Sequence, residues 1–156
     1  MFIKANRLDD LTKEARESIR KRAHLLLHRH IDPVLRLVMA MEPDSYVQPH
    51  RHLGDNRQES YIALRGKFII ILFDNLGYIK EYGLIGPKEE NLMFEVPSSA
   101  WHVIWSLEKG SLVAEIIKGP YVEKTFKEFA VWAPSEEDPS KIEYKKRILN
   151  LLKLSK

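Results

Sequence analysis

The chain has 156 residues, 44% hydrophobic and 30% charged, a composition that fits one soluble globular domain with a real core and is short for two. It contains no cysteine, which excludes disulfides, thiolate catalysis and cysteine-based zinc or iron–sulfur sites, so any metal must be held by imidazole and carboxylate. The net charge of +3, from 25 basic and 22 acidic residues, is too small an excess to imply nucleic acid, and the longest apolar run, Phe68–Phe73, is far below the roughly 20 residues that span a bilayer.

In chain order, Leu8, Leu11, Ala15, Ile19, Ala23 and Leu26 recur at helical spacing, with Asp9 and Asp10 near the start, and predict an amphipathic helix from Leu8 to about Leu27. Val34 to Met41 is rich in strand formers and Glu42-Pro43-Asp44-Ser45 reads as a turn. Short strands then recur through Ile117, with Asp74-Asn75-Leu76-Gly77 marking a hairpin. This pattern predicts an antiparallel barrel or sandwich. A turn over Ala133–Pro139 opens a last helix from about Ser140 to Leu154, whose apolar residues Ile142, Ile148, Leu149, Leu152 and Leu154 dock on the barrel or on a second subunit. A single domain over 1–156 is expected, with residues 1–30 helical, 31–132 the β-barrel and 133–156 a helical tail.

The chemistry concentrates at Pro49-His50-Arg51-His52, Glu59 and Pro97-Ser98-Ser99-Ala100-Trp101-His102. A strand sends alternate side chains to one face, so His50 and His52 point together while Arg51 faces away. Glu59 adds a carboxylate oxygen and His102 a third imidazole, a His3Glu set with room left for water or substrate. Such donors accept Fe, Mn, Zn, Ni or Co. The same parity places Tyr46 and Gln48 on the face of His50 and His52, Tyr61 behind Glu59, and Ile104 and Ser106 behind His102, with Trp101 and Trp105 turned outward. Two charges inside apolar strands stand out: Glu115 as an acid/base or a partner to the ligands, and Arg36 as an anchor for a substrate carboxylate or phosphate. His24 and His28, one helical turn apart, lack further partners for a metal in their own segment.

These segments resemble the two motifs of the cupin superfamily, whose fold is a jelly-roll β-barrel holding a metal inside. Asp44 stands where the first motif glycine would be, and Gly66 closes that motif. Six residues, Leu53-Gly54-Asp55-Asn56-Arg57-Gln58, separate His52 from Glu59 instead of three or four; they are expected to bulge as a loop and return Glu59 to the barrel. In the second motif Ser99 replaces the glycine and Ser106 the asparagine. Ala15-Arg16-Glu17-Ser18, Arg20, Arg22, His28, Gly119-Pro120-Tyr121 and Trp132-Ala133-Pro134-Ser135-Glu136 extend the likeness to the WbuC-type cupin fold metalloproteins, bacterial proteins associated with O-antigen and surface-polysaccharide gene clusters.

The resemblance carries the fold and the metal site further than the activity. The metal site leads us to expect a metal-dependent enzyme, an isomerase or epimerase, acting on a sugar or sugar-nucleotide intermediate, with Glu115 and Tyr61 as catalytic groups and Arg36, Tyr46 and Gln48 as substrate contacts. An Fe(II)-dependent dioxygenase and a non-catalytic small-molecule-binding module stay open as alternatives. The expected partner is a small molecule such as a sugar nucleotide, with no nucleic acid and no membrane span. The start Met1-Phe2-Ile3-Lys4-Ala5-Asn6 carries no signal-peptide core, so a cytoplasmic homodimer is expected.

Overall fold

The computed structural model describes residues 2–54 and 57–154. It is mainly β, two antiparallel five-stranded sheets with three helices, a jelly-roll sandwich. The first sheet has the order β1 (Arg22–Leu26), β2 (Val34–Met41), β9 (Ser111–Lys118), β4 (Glu59–Arg65), β7 (Met93–Val96). The second has the order β10 (Lys127–Phe129), β3 (His50–His52), β8 (Trp101–Ser106), β5 (Phe68–Phe73), β6 (Ile79–Ile85). Helices α1 (Ala5–Glu17), α2 (Glu123–Phe126) and α3 (Lys141–Leu151) complete the chain. None of the described helices is long and apolar enough to cross a membrane.

The inner faces interdigitate through Met39, Met41, Tyr61, Phe68, Ile70, Ile104 and Val113. β5 and β8 are buried on both faces, which explains their unbroken apolar sequences. Their outward residues Ile69, Ile71, Val103 and Trp105 are covered by Ala133, Tyr144 and Ile148 of the C-terminal segment. α3 therefore docks on the barrel through a face the sequence marks, and it ends at Leu151, three residues short of the expected Leu154.

The N-terminal segment departs from expectation. α1 stops at Glu17, and Arg22–Leu26 is a strand paired with β2, where a helix to about Leu27 was predicted. The reason is that Ala23, Leu25 and Leu27 pack on Leu8, Leu11 and Ala15 of α1 while Arg22, His24 and Leu26 turn to the barrel interior. The segment satisfies period 2 and period 3.6 together, and tertiary pairing with β2 decides between them.

Asp74 closes the β5–β6 hairpin as read, its Oδ1 accepting the backbone N–H of Leu76 and of Tyr78. Gly66, between β4 and β5, has φ 74°, and a Cβ there would come within 3.0 Å of the Ser111 backbone, so the motif glycine is required by both conformation and space.

Candidate metal centre

Three strands bring the four donors together. His50 and His52 come from β3, Glu59 opens β4 and His102 is the second residue of β8. All four side chains are buried, and their ligating atoms lie within 4.8 Å of one another. The lengthened spacing before Glu59 does not displace it: Glu59 returns to the first sheet opposite Val96 and Ile117. Asp55 and Asn56 of that insertion lie outside the described residues.

Each ring is oriented by the backbone. Nδ1 of His50 meets the Gln48 carbonyl at 2.9 Å, Nδ1 of His102 the Ala100 carbonyl at 2.9 Å, and Nδ1 of His52 the Phe126 carbonyl at 3.3 Å. A nitrogen facing a carbonyl oxygen must carry the proton, so a ring in this position that is neutral turns an Nε2 lone pair inward. Glu59 Oε2 sits 2.9 Å from Nε2 of His102 and 3.1 Å from Nε2 of His52. Desolvation by burial pushes His50 well below its usual range and lowers His52, so both rings are neutral near pH 7.

An anionic carboxylate facing neutral lone pairs has no counter-charge. Among the described residues, His50 Nε2, His102 Nε2 and Glu59 Oε1 are buried and unsatisfied by a hydrogen bond. Unpaired buried acceptors converging on one point fit a cation, and three imidazoles with one carboxylate fit a divalent first-row transition metal. The second motif also shows why it normally carries glycine. Ser99 has φ 61°, the left-handed conformation glycine adopts freely, and the turn it makes presents the Ala100 carbonyl to His102.

A cavity of about 380 Å³ opens beside the centre, with His50, Tyr61 and Glu115 among its lining residues and Leu37, Met39, Ile104 and Ile117 as apolar wall. Tyr61 and Glu115 pair in register across β4 and β9. Burial first, then the Glu59 charge, pushes both the Tyr61 phenol and the Glu115 carboxyl well above their usual ranges. Trp101 and Trp105 face away from the cavity, as parity predicts, into the cluster under α3.

The three residues assigned to substrate lie elsewhere. Tyr46 packs outside the second sheet on Trp105 and Tyr144 and donates its hydroxyl to the Pro134 carbonyl. Gln48 donates to the Ala130 carbonyl. Residues 42–49 are not strand, so the alternation counted back from His50 does not hold there. Arg36 is exposed on the outer face of β2 and donates to the Leu27 carbonyl, while its neighbours Leu35 and Leu37 take the inner positions.

The sequence reading did not assign to the cavity Arg22, His24, Lys127 and Phe129, all of which line it. The Arg22-x-His24-x-Leu26-x-His28 alternation was the available signal, masked by the helical reading. Lys127–Phe129 forms a three-residue strand, too short to announce itself.

Residues 3–84 match the family described as Domain of unknown function (DUF6016). No curated protein matches the chain. Among solved structures, protein SO0799 from Shewanella oneidensis is 16% identical, with 95% of this chain and 96% of that one covered and a TM-score of 0.62. KdgF from Halomonas sp. is 17% identical over 66% of this chain and 83% of its own, with a TM-score of 0.51. An oxalate oxidase in complex with the substrate analogue glycolate is 12% identical over 88% of this chain and 74% of its own, with a TM-score of 0.55. At these identities the likeness is one of fold, the cupin fold. With just over half of its length matched, the chain belongs to the DUF6016 family, on a cupin-type jelly roll that carries a buried His3Glu cluster.

Proposed function

We propose that this chain is a metal-dependent enzyme acting on a sugar or sugar-nucleotide intermediate of bacterial surface-polysaccharide (O-antigen) biosynthesis, working in the cytoplasm as a homodimer. The convergence of three backbone-oriented imidazoles and Glu59 on unpaired buried acceptors carries the metal-dependent part. The likeness to WbuC-type cupin metalloproteins supports the substrate class. His50, His52, Glu59 and His102 would hold the ion, and the ion would supply Lewis acidity toward a carbonyl or hydroxyl oxygen.

The chain's own groups do the rest. Glu115, whose carboxyl is pushed up by burial and by the Glu59 charge, serves as the proton donor at the substrate and, once ionised, as the acceptor, and Tyr61 donates a hydrogen bond from its phenol. Taking a proton from one carbon and returning it to the neighbouring carbon is isomerisation; returning it to the opposite face of the same carbon is epimerisation. Leu37, Met39 and Ile104 exclude water from one side of the ligand. At about 380 Å³ the cavity lies near the lower end of the roughly 300–1,000 Å³ of small-molecule sites, which suits a single sugar ring with any larger attached group left at the mouth.

Elemental mass spectrometry on untagged protein tests this first. About one equivalent of a transition metal in the wild type, absent from His50→Ala/His52→Ala, supports the reading. No metal after reconstitution sinks it. A monomeric mass by light scattering rejects the homodimer.

A further inference from the structure

We infer that the cavity contains an anion-binding subsite, with Lys127 as its cation and His24 facing it from the other sheet, so that the natural ligand carries a carboxylate or a phosphate. The inference deepens the metal-dependent reading above and rests on it for the position of the rest of the ligand.

Register places Lys127. On β10 it stands directly opposite His52, and Phe129 stands opposite His50, so both share the barrel-ward face of the ligand pair. Lys127 lines the cavity, and among the described residues its ammonium makes no hydrogen bond or ion pair. The cavity's other cations are already engaged. Arg22, a buried guanidinium, is bound to Glu136 and to the Tyr46 carbonyl, and Arg20 reaches the same Glu136 at 3.1 Å. Glu136 is thereby shared by two arginines, and among the described lining residues Lys127 is the ammonium or guanidinium without an ion pair.

Across the cavity, β1 alternates Arg22, His24 and Leu26 inward. His24 is open to the cavity, and its imidazole is pushed down to about 4 by desolvation and then by the charges of Arg22, Arg20 and Lys127. It is therefore a neutral ring near pH 7, able to donate one N–H to an anion.

Lys127 has no role in holding the fold that its contacts reveal, and an ammonium beside a cation site raises the cost of loading that site. An anionic ligand between the two offsets both repulsions and gains a charge-assisted hydrogen bond. Placing the anion at Lys127 points the remainder of the ligand toward Tyr61, Glu115 and His50.

The test is calorimetric titration of wild type, Lys127→Met, Lys127→Arg and His24→Gln with inorganic phosphate, acetate and, as neutral control, glycerol. Metal content of each protein is measured beforehand by elemental mass spectrometry. Phosphate or acetate binding about tenfold tighter than glycerol, weakened about tenfold by Lys127→Met, largely kept by Lys127→Arg and reduced by His24→Gln, supports the subsite. The better-bound anion distinguishes phosphate from carboxylate. Equal affinity for all three ligands, or anion binding untouched by Lys127→Met, overturns it. Wild-type protein that takes up no metal overturns the metal reading alone, because phosphate and acetate still score Lys127.

Discussion

His50 and His102 are register partners across β3 and β8, and their ring centroids lie 4.5 Å apart although 52 positions of sequence index separate His50 from His102. Each ring also bonds through Nδ1 to the carbonyl two residues before it in the chain, Gln48 for one and Ala100 for the other. The two motifs therefore use one local device, a histidine held by the backbone just before its strand, and the sheet brings the two copies together. A site built this way keeps its geometry in the absence of an ion.

Removing the ligands should then abolish metal uptake without unfolding the protein. His50→Ala/His52→Ala is expected to lose its equivalent of metal, and Glu59→Gln, which keeps the shape and removes the charge, to bind metal about tenfold more weakly or worse. Chelation of the wild type should lower its melting temperature, since an ion held at a hundred times its Kd contributes about 2.7 kcal/mol. A chelator that strips the metal and leaves the melting temperature unchanged would contradict the centre.

Ser99 adopts a left-handed backbone conformation in which a Cβ is disfavoured. Ser99→Gly should stabilise the protein by roughly 0.5–1 kcal/mol, the relief of strain exceeding the added freedom of the unfolded chain, whereas Ser99→Val should destabilise it. Urea denaturation of the two variants measures this; a less stable glycine variant would show that the serine hydroxyl matters more than the turn.

Lys145 is buried beneath the barrel, its Nζ donating to the Pro43 and Ser45 carbonyls at 2.7 and 2.6 Å and lying 5.3 Å from the Trp105 ring. Burial lowers its pKa from 10.5 to about 7. A lysine whose folded pKa is depressed binds fewer protons folded than unfolded between those values, so its contribution rises as pH climbs from about 7 to 10.5 and is lost as pH falls back through that window. Wild type should gain on Lys145→Met over this range with a slope of up to about 1.4 kcal/mol per pH unit. Parallel stability curves for the two proteins would mean that the two carbonyls hold the ammonium charged throughout.

Tyr46 and Arg36 lie away from the cavity, so their loss should leave ligand binding intact. Tyr46→Phe removes the hydroxyl bonded to the Pro134 carbonyl and should cost about 1 kcal/mol, with metal content and anion affinity unchanged. Arg36→Ala, at an exposed position, should stay within about 0.5 kcal/mol of wild type. A tenfold fall in anion affinity in either variant would return that residue to the site.

The ligand set was legible because each ligand carries a local signature: His-x-His alternates on one strand, and Pro-x-x-x-x-His places His102 at the start of the next. The outward tryptophans were legible for the same reason, since parity within an unbroken strand is a local rule, whereas Glu115 stood out only as a charge inside an apolar strand. It failed for Tyr46 and Gln48, where the chain leaves the strand before reaching them, and for Arg22–Leu26, where two periodicities coincide.

By itself the sequence determined the donors, the absence of thiols and the faces of the regular strands, all of which depend on residues within a few positions of one another. The tertiary structure alone decided that β1 is a strand, that β10 lays Lys127 beside His52, and that Glu136 neutralises the two arginines on the same wall. Each of these depends on which distant strand supplies the missing hydrogen bonds or counter-charge, and no local pattern encodes that choice.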